Sequence, residues 1–324
     1  MEPDDVAFDP GGAPRPDLDA VPEGFVVVLQ PNDRIHFLDW GGADPVDAPD
    51  PADAPDPVDA PGVLLIHGMA QTGWSWVSVA RRLRRARRTV AMDLRGHGLS
   101  DAPTAGYEPE TLAEDVLAVA EGSGLLAEPD ARVVLAGHGF GAIVAAWAAA
   151  SLGERCAGLV LVDGGWVDIA ATSNQDPDEF LRALDEPPEV LRSMTTFLAD
   201  RRAFDPATWD ADQERAARAT VVETHAGHVV PTTRPHAIDG SVAAMFAFRP
   251  LVVLPSIEAP IVALAASDDE DGTAGRALEA AQSALAAASR HAIRIARFPA
   301  DGHNLLRYRP REVCAAILAL ASEP

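Results

Sequence analysis

Short, almost entirely apolar segments alternate with helical segments along most of this 324-residue chain. The segments GVLLIHG, RTVAMDLRG, ARVVLAG and CAGLVLVDGG have the length and continuous hydrophobicity of strands that are buried on both faces. Helical segments lie between them, among them WSWVSVARRLRRA, TLAEDVLAVAEGSG and GAIVAAWAAASL. The alternation returns near the end, with APIVALAAS and HAIRIARFPADGH as strands. This order predicts an α/β fold in which helices cover both faces of a parallel sheet.

Breaks in this alternation divide the chain into regions. Residues 1–20 are acidic and rich in Pro and Gly, which predicts a disordered tail. Residues 21–165 and 256–324 are predicted to form one α/β core, which begins with a hairpin, GFVVVLQPNDRIHFLDW. Residues 43–61 carry an Asp at every third position among prolines, which predicts a solvated loop insertion in that core. Residues 166–255 contain polar, Pro-punctuated helical pieces and are predicted to form a helical cap.

The composition argues against several classes of partner. The net charge of −23 disfavours nucleic acid and anionic membranes, and no apolar run reaches membrane-spanning length. The N-terminal segment lacks the basic start and apolar centre of a signal peptide, so the cytoplasm is the expected location. The sequence contains neither a metal-ligand constellation nor a dinucleotide fingerprint. We therefore predict a protein that acts on a small-molecule substrate without a metal or cofactor, and the sequence does not indicate its oligomeric state.

Four short motifs follow one another along the chain, each beside the end of a predicted strand. They are LLIHGMAQTGWSW, DLRGHGLSD, GHGFG and a final DGH. With the order of strands and helices, they resemble the α/β-hydrolase superfamily, in particular capped members such as proline iminopeptidases, epoxide hydrolases and cofactor-free haloperoxidases. The resemblance covers roughly residues 22–322. It implies a mostly parallel eight-stranded sheet flanked by helices, a helical cap, and hydrolysis of an ester, amide or thioester bond in a small, partly apolar substrate.

The resemblance also implies roles for individual residues. The segment GHGFG matches the sharp turn in which the family carries its nucleophile, G-x-S-x-G. Gly139 stands at the nucleophile position, and His303 is the expected general base. The backbone N–H groups of Met69 and Phe140 are the expected oxyanion hole, which would stabilise the negative charge that develops on the substrate oxygen.

The acid that would orient His303 has several candidates. The family pattern places it at Asp269, after the strand PIVALAAS, and Asp268 and Asp271 are close rivals. Asp163, after the preceding strand, is a further alternative that some relatives use. The expected substrate pocket includes these residues: His67, which the family also uses to shape a loop, Trp166 and Phe246.

Gly139 removes the chemistry that this turn normally supports. Glycine has no side chain, so no acyl-enzyme ester can form at this position. Because glycine reaches strained backbone conformations freely, we expect the fold to tolerate it. Three interpretations follow from the sequence: a water activated directly by His303, a substrate-binding protein without catalysis, or a base-dependent lyase, cyclase or oxygenase.

Overall fold

An eight-stranded sheet forms the centre of the protein. The computed structural model describes these residues: 5–29, 32–42, 60–184, 193–266 and 272–322. Residues 43–59, most of the predicted loop insertion, lie outside those ranges. The strands of this sheet are β1 (Glu23–Val28), β2 (Arg34–Asp39), β3 (Gly62–Ile66), β4 (Thr89–Met92), β5 (Val133–His138), β6 (Cys156–Val162), β9 (Ile261–Ala266) and β10 (Arg294–Phe298), and a separate small sheet contains β7 (Val221–Glu223) and β8 (Val229–Pro231).

The order of the strands confirms the predicted, mostly parallel sheet. It runs β1-β2-β4-β3-β5-β6-β9-β10. The hairpin of β1 with β2 is antiparallel, as is the pair of β2 with β4, and the other neighbours are parallel. All parallel strands therefore present their carboxyl ends at one edge of the sheet, where α/β proteins place their ligand sites.

The central strands are continuous runs of apolar residues because both of their faces are covered. Every residue of β3, β5 and β6 is buried. Successive side chains along β3 point to opposite faces: Leu64 and Ile66 join one hydrophobic cluster, and Val63 and Leu65 join the other. The sequence thus lacks the polar alternation of a strand with one wet face, which is why its hydrophobic runs are uninterrupted.

Helices pack against both faces of the sheet. One face carries α2 (Pro109–Gly122), α3 (Phe140–Leu152) and α10 (Thr273–Ala287), whereas α1 (Val77–Leu83) and α12 (Pro310–Ala321) cover the other. α3 is apolar and buried almost all round, because it lies between the sheet and α2. The remaining helices are α4 (Ile169–Thr172), α5 (Pro177–Leu184), α6 (Met194–Phe204), α7 (Ala211–Ala219), α8 (Pro235–Ala247), α9 (Pro250–Ser256) and α11 (Leu305–Tyr308).

The segment between β6 and β9 contains helices α4 to α9, and we call it the cap. It also contains a short hairpin, β7 with β8, which the helical prediction for residues 166–255 omitted. The signal for this hairpin is VVETHAGHVVP, in which two valine pairs flank Gly227. Gly227 adopts φ +79°, and the N–H of Thr224 donates to the carbonyl of His228, so the glycine supplies the reversal that the turn needs.

The N-terminal segment differs from the disordered tail predicted for residues 1–20. From residue 5 onward it lies against the core: the N–H of Val6 donates to the carbonyl of Ile295 in β10 at 2.7 Å. Asp17 forms an ion pair with Arg84, which follows α1. The prediction considered the acidity and the Pro and Gly content of the tail, whereas the arginines at the end of α1, distant in sequence, supply the opposite charge.

No single helix among the described residues is long and apolar enough to cross a membrane. α8 and α9 meet the criteria of length and composition only when they are taken together, and a bend of 79° separates them. Phe248, which follows α8, and Leu254 in α9 are buried in the hydrophobic core.

Candidate active site

Gly139 occupies the sharp turn between β5 and α3. Its φ of 53° and ψ of −117° place it at positive φ, which costs a residue with a side chain roughly 1–3 kcal/mol. Its N–H donates to the carbonyl of Val162 at 3.0 Å, and its carbonyl accepts from the N–H of Ala142 at 3.1 Å. The turn is therefore held by backbone hydrogen bonds on both sides, and glycine adopts it without strain.

Neighbouring glycines allow the strand, the turn and the helix to approach closely. A Cβ atom on Gly137 would overlap the carbonyl oxygen of Gly141, and one on Gly141 would overlap the backbone of His67. A Cβ atom on Gly164 would lie 2.6 Å from the carbonyl oxygen of Gly139. These clashes are with backbone atoms, which cannot move aside cheaply, so the geometry explains the glycines on either side of the turn.

His303 and Asp163 form a hydrogen-bonded pair at the carboxyl edge of the sheet. Nδ1 of His303 lies 2.6 Å from Oδ2 of Asp163, while Oδ1 of Asp163 accepts from the N–H of Ala266 at 2.8 Å. Because a carboxylate only accepts hydrogen bonds, Nδ1–H is the donor, and the neutral ring then has its free electron pair on Nε2. Asp163 has a φ of 46°, a conformation that few residues other than glycine adopt, and both of its oxygens are used to hold it.

The free nitrogen of His303 faces the turn. A Cβ atom built on Gly139 would lie 3.1 Å from Nε2 of His303 and 3.3 Å from its Cε1. A hydroxyl or thiol group on residue 139 would thus lie beside a base. The side chain of His303 is 63% exposed, so solvent and small molecules reach the ring.

Met69 and Phe140, whose backbone N–H groups are the expected oxyanion hole, line the same cavity. Phe140 is the first residue of α3, so its N–H has no partner within the helix and lies at the positive end of the helix dipole. Met69 precedes Ala70, whose φ of 59° turns the chain back sharply. Within the described ranges neither N–H donates to a protein acceptor, and both are available to an oxygen with developing negative charge.

A cavity of about 350 Å³ connects these groups, and we call it the base cavity. His303, Asp163 and Gly139 lie in its wall. The rest of the wall is largely apolar and includes Ile143, Val167, Ile169 and Met245. The volume falls within the range of small-molecule sites, and the mixture of an apolar wall with a few polar groups is typical of them.

His138, next to Gly139, supports the loop that carries His303. It is fully buried, its Nε2–H donates to the carbonyl of His303 at 3.0 Å, and the two rings lie 4.6 Å apart. Burial, with a smaller contribution from His303, lowers the pKa of His138 to about 4. His138 is therefore neutral at pH 7, and it positions the His303 backbone without adding charge to the cavity.

The structure places three predicted pocket residues outside the base cavity. His67 is fully buried: its Nδ1–H donates to the carbonyl of Gly68 at 2.7 Å, and its Nε2 accepts from the N–H of Leu94 at 2.9 Å. Both ring nitrogens are thus occupied in shaping the loop. Trp166 is buried in the hydrophobic core, and Phe246 packs on Phe180 with their ring centres 5.6 Å apart.

The predicted pocket residues His67, Trp166 and Phe246 do not include Ile143 or Met245, which lie in the apolar wall. Met245 precedes the predicted Phe246, and on a helix one position turns a side chain by about 100°. Ile143 lies one turn after Phe140 on α3, a spacing that places both residues on one face of the helix. A helical-face argument could therefore have found Ile143, whereas Met245 depends on how α8 lies against the core.

Asp163 supplies the carboxylate beside His303 in the described structure. It is the alternative to Asp269, which the family pattern favours. Asp268, Asp269 and Asp271 lie outside the described residues.

A family model described as "Alpha/beta hydrolase family" matches residues 63–316. Epoxide hydrolase 4 of Mus musculus is 31% identical over 103 residues, which are 31% of this chain and 27% of that protein. A 2-(acetamidomethylene)succinate hydrolase of Mesorhizobium japonicum is 34% identical over 102 residues, which are 31% of this chain and 34% of that protein. The alignments therefore span about a quarter to a third of these relatives' lengths.

The similarity of the folds extends further than that of the sequences. The crystal structure of an E-2-(acetamidomethylene)succinate hydrolase superposes on this chain with a TM-score of 0.71. The superposition covers 94% of this chain and 100% of the hydrolase chain. The two sequences are 17% identical, so this likeness concerns the fold.

Proposed function

The chain belongs to the alpha/beta hydrolase family, and from this premise we propose that it cleaves a small, partly apolar ester, amide or thioester without forming an acyl-enzyme. In this proposal His303 is the general base, Asp163 orients it, and the N–H groups of Met69 and Phe140 stabilise the oxyanion. The observation that carries the proposal is the pairing of His303 Nδ1 with Asp163, together with the 3.1 Å between its Nε2 and the Cβ position of Gly139.

The proposed reaction is one displacement by water. Nε2 of His303 takes a proton from a water molecule as the water oxygen bonds to the substrate carbonyl carbon. The carbonyl π electrons move to the oxygen, which the two N–H groups stabilise. When the tetrahedral intermediate collapses, the bond to the leaving group breaks, and the imidazolium returns its proton to that group. Asp163 stabilises the positive charge on His303 in the meantime.

Gly139 limits both the route and the rate. It offers no atom to form an ester with the substrate, so the covalent step of serine hydrolases is absent. General-base catalysis contributes about 10²–10⁴-fold, which makes slow turnover the expectation. The related hydrolase of 2-(acetamidomethylene)succinate acts on a compound whose name contains an amide, which supports including amides among the substrates.

A substrate-binding protein without catalysis is the second candidate. The lack of a nucleophilic side chain at residue 139 favours it, since the cavity and its donors remain. The two candidates differ in one measurable respect, because only the enzyme requires the basicity of His303.

The test compares the unaltered chain with His303→Ala and with His291→Ala, an exposed histidine outside the base cavity. All three are assayed on 4-nitrophenyl esters of increasing acyl length, with intact-mass measurement during turnover. We expect hydrolysis in the unaltered chain and in His291→Ala, a loss of about 10²-fold or more in His303→Ala, and no acyl adduct. Equal rates in all three proteins would contradict the enzyme, and saturable ligand binding with those equal rates would favour the binding protein.

A further inference from the structure

A second cavity, of about 580 Å³, adjoins the base cavity. Met69 and Gln71 belong to the walls of both. On the core side its wall continues with Asn304 and Arg307, which follow His303, and on the cap side it is formed by parts of α6 and α7. We call it the cap cavity. A molecule whose reactive bond lies at His303 can therefore extend past Met69 into this second space.

The wall of the cap cavity is far more polar than that of the base cavity. Thr72, Ser75, Gln213 and Asn304 are its uncharged polar lining residues. Thr72 is only 2% exposed, and its Oγ1, like Oγ of Ser75, has no hydrogen-bond partner among the described residues. Both oxygens are shielded from solvent and therefore from the cavity, so they lie behind its surface and do not themselves indicate a ligand.

Two arginines also face this cavity. Arg307 is fixed, because its Nε donates to Oγ1 of Thr208 and its Nη2 to the carbonyl of Asp205, both at 2.6 Å. Arg201 lies in the last turn of α6 with Cζ 5.2 Å from the ring centre of Phe197. In the part of the chain that the structure describes, no carboxylate forms an ion pair with Arg201.

The charged residues of the cap cavity are mainly basic, whereas the whole chain is strongly acidic. The net charge of the protein is −23, yet the described lining of the cap cavity contains two arginines and one carboxylate, Asp200. A guanidinium group binds a carboxylate through two parallel hydrogen bonds, and aromatic packing of Arg201 restricts its freedom before a ligand arrives. The cavity thus combines a cation that lacks an ion-pair partner with neutral hydrogen-bonding groups.

We propose that the cap cavity binds a carboxylate of the substrate, with Arg201 as its main contact. This inference rests on the proposed function for the identity of the reactive bond. The substrate class is then an ester, amide or thioester with an apolar part in the base cavity and an anionic end in the cap cavity.

The test measures binding, so it does not depend on turnover. The probes are N-butanoyl-4-aminobutanoate and its neutral primary amide, titrated calorimetrically into the unaltered chain. We expect the carboxylate to bind about tenfold more tightly or better, as for a hydrogen bond to a charged group. Arg201→Gln should remove this preference. Arg202→Gln, which changes a neighbouring arginine outside the described lining, should keep it.

His303→Ala separates this inference from the proposed function. If the carboxylate instead sits against His303 and the oxyanion donors, His303→Ala will abolish the preference for charge and Arg201→Gln will not, which overturns the inference. Equal affinity of the unaltered chain for both probes also overturns it. If the preference depends on Arg201 while no ester is hydrolysed, the cap cavity inference stands and the catalytic proposal fails.

Discussion

Asp163 and His303 are 140 residues apart in the sequence, and their side chains meet with 2.6 Å between Oδ2 and Nδ1. Asp163 directly follows β6, and His303 lies in the loop after β10. Only β9 separates these two strands in the sheet, and all three are parallel. The pair is thus a product of strand order, because parallel strands deliver their carboxyl-end loops to one edge.

Replacing Gly139 by serine is expected to create a fast esterase. The hydroxyl would lie beside Nε2 of His303, and loss of the nucleophile from a serine triad costs on the order of 10⁶ in kcat. Because the Cβ–Nε2 distance of 3.1 Å is tight, His303 must shift by a few tenths of an ångström. We therefore expect a gain in rate smaller than the factor of about 10⁶ above. Gly139→Ser should raise kcat/KM on 4-nitrophenyl esters by on the order of 10³-fold and become labelled by a fluorophosphonate.

Gly139→Ala is the matched control for this gain. It adds the same Cβ atom and the same backbone strain at φ 53° without a hydroxyl, so it should not gain activity. Both variants should lose roughly 1–3 kcal/mol of unfolding free energy. A serine variant that is no faster than the alanine variant would show that residue 139 is not the nucleophile position.

Asp163→Asn is expected to lower kcat/KM of the Gly139→Ser variant by about 10³- to 10⁴-fold. An asparagine amide can donate to Nδ1, which moves the ring proton to Nε2 and removes the base. Asparagine also tolerates the φ of 46°, so the unfolding free energy should change little. Asp269→Asn in the same background is the comparison. If Asp269→Asn causes the larger loss in kcat/KM, then Asp269 is the acid.

Strand order explains why the acid stayed ambiguous in the sequence. The strands β6 and β9 both have their carboxyl ends at the edge that His303 occupies, and in the sequence an aspartate follows each strand within a few residues. Hydrophobic runs and glycine spacing were enough to predict the sheet, the turn at Gly139 and the histidine loop. They carry no information on which of two neighbouring loops turns a carboxylate toward the ring.

The other differences arise from contacts between distant segments. The N-terminal residues are acidic and rich in proline, and contacts with distant segments, such as the pairing of Asp17 with Arg84, show why they lie on the core. Trp166 and Phe246 are large apolar residues in the cap, and their sequence positions do not distinguish a pocket wall from internal packing. The side on which a helix meets the core decides this, as the exposure of Met245 to the cavity illustrates.

Gly137→Ala is expected to destabilise the protein by about 3 kcal/mol or more, at the upper end of overpacking costs. Its Cβ atom would lie 2.5 Å from Cα of Ala142, and neither backbone can yield without moving the turn. The measurement is urea unfolding followed by tryptophan fluorescence. Gly302→Ala, beside His303, is the control: its nearest contact is an ordinary 3.8 Å to Tyr308, so a change within about 0.5 kcal/mol is expected. Similar losses in both variants would argue against close packing as the reason for Gly137.

Three buried histidines, His67, His97 and His138, have pKa values lowered by burial and make the stability depend on pH. Burial lowers the pKa of His97 to about 3 and that of His138 to about 4, so both stay neutral in the folded protein at pH 5. In the unfolded chain each takes up a proton near its ordinary pKa of about 6.5. The unfolded state therefore binds more protons between these values, and stability falls as the pH is lowered through that window.

We expect the unfolding free energy to fall between pH 6.5 and pH 5, and His97 and His138 should each contribute a slope that approaches about 1.4 kcal/mol per pH unit. His97→Phe removes one of them and should reduce the slope by that amount. Nε2 of His97 is buried without a partner in the described structure. The substitution therefore removes only the hydrogen bond from Nδ1–H to the carbonyl of Arg95. Losing that hydrogen bond lowers the unfolding free energy by the same amount at every pH. Urea titrations at several pH values separate the two effects, and an unchanged slope in His97→Phe would mean that His97 is protonated in the folded protein.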